Sequence, residues 1–198
     1  MGRKRRIWHP NMYYHVVMRG NNRNHIFQSR DDLRELFRIF HYAYDKHSFS
    51  IVAYCIMTNH YHLLMKSPEV PLGKIMSIVN RRYTEYYKKM YNTSGFLYES
   101  RYFAELLLTP KNILAVSRYI HRNPIETKVP IVTHMELYEN SSYAFYKFSK
   151  PTTLPFLQLD ILPSLLPTSI NQTNENYCTY CEAEISDEKE NKKSPNQF

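Results

Sequence analysis

From Tyr13 to Arg19 the chain alternates, with Tyr14, Val16 and Met18 facing one way and Tyr13, His15, Val17 and Arg19 the other. A period of two reads as a strand with one clearly apolar face. Gly20-Asn21-Asn22 breaks it. Leu33, Leu36, Phe37 and Phe40 then fall at helical spacing behind the candidate caps Ser29 and Asp31, predicting a helix to about His47. Ser50 to Met57 is continuously apolar and reads as a second strand, and the polar break Thr58-Asn59 leads into a third, His60 to Lys66. Pro68 and Pro71 close that strand. A second helix follows from about Leu72 to Tyr91, with Ile75, Val79 and Tyr83 on one side, and Ser94-Gly95 stops it. Arg101 to Leu108 predicts a fourth strand. Thr109-Pro110 is a hydroxyl cap with proline in the first turn, opening a third helix that ends at Asn123 before Pro124.

Two crossovers onto one antiparallel sheet predict an α+β fold. It is a ferredoxin-like four-stranded sheet with the first two helices on one face and the third helix free to cover the other. The expected organisation is a basic arm over 1–12, one domain over 13–150 and a partly ordered, then disordered tail over 151–198. Pro151, Pro155, Pro163 and Pro167 and an Asn/Glu/Lys-rich run mark that last change.

Charge divides the same way. Residues 1–150 hold 23 Lys and Arg against 11 Asp and Glu, whereas 151–198 hold 3 against 7. A basic folded part implies a polyanionic partner, most simply nucleic acid, and the many tyrosines and phenylalanines add faces for unpaired bases. No stretch approaches the roughly 20 apolar residues of a membrane span. His9, Pro10 and Asn11 stand where a signal peptide's apolar core would begin, so a soluble cytoplasmic protein is expected. Cys178 and Cys181 suit zinc only if two chains share it, since no second pair follows.

Candidate chemistry lies in Asn59-His60-Tyr61-His62-Leu63-Leu64. His60 and His62 share the strand face that the first two helices leave open, and two adjacent imidazoles there can clamp a divalent cation. The bland alternative is a pair of surface histidines. On the third helix Tyr119 and Asn123 are four apart and share a face, with His121 pointing elsewhere. If that helix covers the sheet, Asn123 offers an amide oxygen beside the histidines, although its position before proline can redirect it. Arg19 shares the open face with His15, His60 and His62. Arg101 and Arg118 flank the inferred site. Arg3, Lys4, Arg5 and Arg6 form the arm, and Arg81 and Arg82 a phosphate track or a solvated helix face.

These stretches, in order, carry a family likeness: Tyr14-His15-Val16, Arg19-Gly20-Asn21-Asn22-Arg23, Tyr54 through Leu64, Asn80-Arg81-Arg82-Tyr83, Arg101-Tyr102, Ser117 through Pro124 and Ser141-Ser142-Tyr143. The chain resembles the single-tyrosine transposases of the His-hydrophobic-His nuclease superfamily, specifically the bacterial REP-associated tyrosine transposases. Ile125-Glu126-Thr127 departs from the family's usual run after Asn-Pro. The resemblance implies a metal-dependent single-strand DNA endonuclease and strand transferase acting on hairpin DNA. Tyr119 would be the nucleophile, forming a 5′-phosphotyrosine, with His60, His62 and Asn123 as ligands of Mg²⁺ or Mn²⁺. Arg19 and Asn21 would contact DNA, and relatives act as monomers or as dimers. The alternatives are a noncatalytic hairpin DNA- or RNA-binding regulator, and a hydrolase that does not need Tyr119.

Overall fold

The computed structural model describes residues 8–183. Four strands, β1 (Tyr13–Arg19), β2 (Ser50–Ile56), β3 (His60–Lys66) and β4 (Phe103–Leu107), form one antiparallel sheet in the order β2-β3-β1-β4. Helices α1 (Arg30–Lys46) and α2 (Leu72–Tyr91) connect them across one face, and α3 (Pro110–Arg122) lies on the other. This is the α+β architecture expected from the pattern. Ser29 and Asp32 close a reciprocal capping box that starts α1, and the Thr109 hydroxyl accepts from Asn112 N–H to start α3. Arg101 and Tyr102 stay outside β4, which is therefore shorter than its apolar run.

The continuous apolar run of β2 has a physical reason: both faces of the strand are covered. A bulge between Ile51 and Ala53 also shifts its alternation. Ile51, Tyr54 and Ile56 pack with Tyr14, Val16, Tyr61 and the inner sides of α1 and α2. Val52, Ala53 and Cys55 pack on the opposite side with Leu64, Ile113 and Ile120.

The boundary expected at residue 150 does not match the packing. Beyond α4 (Tyr143–Lys147), the chain returns to the β2 edge, where Ile51 N–H donates to the Phe156 carbonyl and Gln158 N–H to the Ile51 carbonyl, at 2.7 and 2.9 Å. Phe156 is fully buried among Phe40, Tyr44 and Phe49. Two further helices, α5 (Ile161–Ser164) and α6 (Asn174–Glu182), place Leu162, Tyr177, Cys178 and Cys181 in the core under α3. The prolines here shape a packed return rather than an end. Arg3, Lys4, Arg5 and Arg6 and the residues after 183 lie outside the described residues.

His121 links these layers. It is buried, 2.9 Å from Ser142 Oγ and 3.1 Å from the Tyr177 hydroxyl, and burial lowers its pKa to about 3. An unfolded histidine titrates near 6.5, so between those values the unfolded chain binds a proton that the fold refuses. The stabilisation is complete above about pH 6.5 and declines as pH falls towards 3. His121→Gln is expected to remove about one proton, or about 1.4 kcal/mol per pH unit, from the pH slope of urea-unfolding stability between about pH 6 and 4. An unchanged slope would contradict this assignment.

Candidate active site

β3 sets His60 and His62 on one face, and β1 lies alongside with Arg19 opposite His60 and Val17 opposite His62. Packing of α3 over β2 and β3 brings the Tyr119 ring to 5.5 Å from the His62 ring and 5.9 Å from that of His15. The rings of His60 and His62 are 5.0 Å apart. Asn123, the residue capping α3, keeps helical backbone angles (φ −44°, ψ −45°) although proline follows. The last turn tightens instead, with Asn123 N–H donating to the Ile120 carbonyl three residues back at 3.4 Å. Its side chain thus stays on the Tyr119 face, where Nδ2 donates to the Tyr119 carbonyl at 3.1 Å and the amide also meets the His60 ring and the Tyr119 hydroxyl.

Both candidate ligand imidazoles are engaged at Nδ1. Asn59 Oδ1 lies 2.6 Å from His60 Nδ1, and because an amide oxygen only accepts, His60 carries its proton there and keeps the Nε2 lone pair. Asn59 Nδ2 donates in turn to the Arg23 carbonyl at 3.1 Å. His62 Nδ1 sits 3.0 Å from His15 Nε2, with the two rings stacked. His62 Nε2 is buried without a hydrogen-bond partner. An N–H at that point would be buried and unsatisfied, whereas a lone pair suits a cation. Among the described residues no group of three or more His, Cys, Asp or Glu side chains is placed to hold a metal ion. A cation here would need Asn123 Oδ1 beside His60 Nε2 and His62 Nε2, two imidazole nitrogens of the kind that hold borderline divalent metals and one amide oxygen of the kind that Mn²⁺ and Mg²⁺ accept.

The electrostatics agree with that donor set. Burial, reinforced by the Arg19 charge, lowers His60 to about 4, and an Asn123 hydrogen bond opposes it. Burial alone lowers His15 to about 4. His62 is held well below its ordinary value by burial, then by His15, His60 and Arg19. All three are neutral at physiological pH, the form that can ligate a metal. Burial raises the Tyr119 hydroxyl, hydrogen bonding to Asn123 and the Arg19 charge lower it, and Glu126 and Cys55 raise it.

The profile of the IS200-like transposases matches residues 9–123, more than half of the chain and all of this constellation. The chain belongs to the IS200-like transposase family. A solved structure of a REP-associated tyrosine transposase bound to a REP hairpin shares its fold, with a TM-score of 0.59 at 15% identity, over 80% of this chain and 98% of that one. A Deinococcus radiodurans protein described as a transposase aligns at 16% identity and a TM-score of 0.41, over 62% of this chain and 97% of its own. No curated protein matches the chain.

In this family member the other candidate residues disperse. Arg101 is exposed just before β4, at the sheet end where Arg19 lies, because Val17 pairs with Phe103. Asn21 occupies the 3-10 turn after β1, its N–H on the Leu97 carbonyl at 2.8 Å. Arg82 lies 3.6 Å from the Tyr42 ring, on the sheet face opposite Tyr119, and Arg81 is on the same helix, so neither joins the site. Arg118 turns to α6, where its guanidinium bonds the Ala183 carbonyl and lies over Tyr180. Cys178 and Cys181 are buried in core packing, and burial pushes their thiols up to about 11 and about 12. No helix among the described residues is long and apolar enough to cross a membrane.

Asn59 stands in the segment that the sequence singles out but shows no role there, because it lies in a two-residue break and its partners are the adjacent His60 ring and the distant Arg23 carbonyl. Asn59→Ala is expected to weaken Mn²⁺ binding about 10- to 100-fold, read by electron paramagnetic resonance of free Mn²⁺ alongside a melting curve. Wild-type affinity in an intact fold would remove Asn59 from the site.

Proposed function

We propose that this protein is a metal-dependent single-strand DNA endonuclease and strand transferase acting on hairpin-bearing DNA. The observation that carries this reading is the convergence of Tyr119 and Asn123 of α3 on the His60-His62 pair, with the buried His62 Nε2 unpartnered. A divalent cation held by His60, His62 and Asn123 would polarise the scissile phosphate and offset its developing charge. Arg19, beside the same histidines, holds a phosphate oxygen. Tyr119 Oη forms the new bond to phosphorus, the phosphorus–O3′ bond breaks, the phenolic proton passes to solvent and O3′ takes one up. The products are a 5′-phosphotyrosine and a free 3′-hydroxyl. Attack by a 3′-hydroxyl on the same ester rejoins the strand and returns the tyrosine, without an external energy source.

The fold likeness to a transposase bound to a REP hairpin supports hairpin DNA as the partner. The test is a denaturing gel of the protein with labelled single-stranded hairpin DNA from the flanks of its own gene, with Mn²⁺, Mg²⁺ or EDTA. A protease-sensitive shifted band that needs metal supports the reading. Tight native binding with no adduct in any metal would replace it with a noncatalytic hairpin-binding regulator.

A further inference from the structure

Phe96 is 86% exposed, the most exposed large apolar side chain among the described residues. It stands in the loop after α2, where Asn92 and Gly95 both take positive φ and turn the chain outward. A single exposed apolar side chain is ordinary on a protein surface, and what sets Phe96 apart is its place at the rim of a polar cavity beside the candidate site. The loop is tied to the sheet end that carries the candidate site. Leu97 accepts from Asn21 N–H at 2.8 Å, Tyr98 bridges to Gly20, and Glu99 N–H donates to the Arg19 carbonyl at 3.1 Å. Gly20 N–H donates to the Asn59 carbonyl at 2.8 Å, so the loop, the turn and the histidine strand share one framework.

Beneath Phe96 a cavity of about 180 Å³ lies between the end of α2 and the turn after β1. Asn21, Asn24, His25, Lys88 and Ser94 line it along with Phe96. This is small beside drug-sized pockets, and it suits one flat polar group. Asn21 follows Arg19 by two residues, at most ~7 Å of extended chain, so the cavity opens within a short step of the candidate scissile position.

We propose that this cavity is a binding subsite for one unpaired base of the DNA strand, stacked on Phe96, with Lys88 on an adjoining phosphate. The occupant follows from the chemistry: an exposed aromatic face for stacking, amides and a hydroxyl for a base edge, and cationic Lys88 for a polyanion. The inference rests on the DNA reading above but not on cleavage.

The test uses the full chain carrying Tyr119→Phe and stem-loop DNA from the flanks of its own gene, with and without its single-stranded tail. Phe96→Ala is expected to weaken binding of the tailed DNA about tenfold, within the range of base–aromatic stacking, and to leave the untailed stem-loop within about twofold. Phe96→Tyr should restore the tailed affinity. Fluorescence of 2-aminopurine at one tail position should be quenched on binding when Phe96 is present and recover in Phe96→Ala. Equal weakening on both DNAs, or none on the tailed one, overturns the subsite. So does a loss of self-association in Phe96→Ala with unchanged tail binding, which would make Phe96 a contact between copies. Covalent capture by chains that keep Tyr119, scored separately, distinguishes the two readings: an adduct with no Phe96 effect sinks only the subsite, and a Phe96 effect with no adduct sinks only the cleavage.

Discussion

Tyr119→Phe is expected to lower metal-dependent covalent capture of DNA by ~10³ or more while leaving hairpin affinity within about threefold, because losing a covalent nucleophile removes the reaction rather than trimming it. The substitution deletes one oxygen. The ring keeps its edge contacts with His15 and His62, and the Asn123 amide keeps the backbone carbonyl of residue 119. Binding and fold should therefore survive, which a native gel and a melting curve would check in the same preparation. Capture that persists at the wild-type level would move the nucleophile elsewhere, and DNA turnover without capture would point to hydrolysis. His62→Ala should also lose capture, but through the cation. Raising Mn²⁺ should therefore restore part of the capture in His62→Ala and none in Tyr119→Phe.

Ending the chain after Lys150 is expected to leave no cooperative folded state. That cut removes Phe156 from the core beneath α1 and Leu162, Leu166 and Tyr177 from the core beneath α3. Truncating a single buried phenylalanine to alanine costs about 3–5 kcal/mol, and a whole domain is stable by about 5–15 kcal/mol. Losing four such side chains exceeds what the fold holds in reserve. The cut also strips the Phe156 and Gln158 hydrogen bonds from the β2 edge, exposing a strand ready to aggregate. Circular dichroism and thermal melting would read the result. Phe156→Ala in the full chain should stay folded and lose about 3–5 kcal/mol of stability in urea. A truncated chain that melts cooperatively near the wild-type temperature would show that this segment only decorates the domain.

The parts of the fold that could be read from the chain are those set by local chemistry. Ser29 and Thr109 announce helix starts because a side-chain hydroxyl there accepts from a backbone N–H that the helix itself leaves without a partner. The period of two through His60 and His62 placed both rings on one face, since side chains on a strand have no other choice. What could not be read depends on partners far along the chain. The bulge at Ile51 and Ala53 leaves no mark in an all-apolar run. Phe156 follows prolines without any period, and its burial is decided by Phe40, Tyr44 and Phe49, far earlier in the sequence. Arg118 resembles any exposed arginine on a helix until the end of α6, 65 residues later, supplies the carbonyl that it binds.

The same α6 contacts constrain how a tyrosine on α3 can move. Arg122 donates to the Cys181 carbonyl at 3.0 Å, Arg118 to that of Ala183, and Tyr177 meets Ser117 and His121 inside the core. Swinging α3 towards another subunit would tear open these bonds and uncover the tyrosines behind them. Under the proposed reaction Tyr119 would act as an anvil bolted to its own frame: while these bonds hold, a strand end joined to it would stay beside the histidines of the same chain.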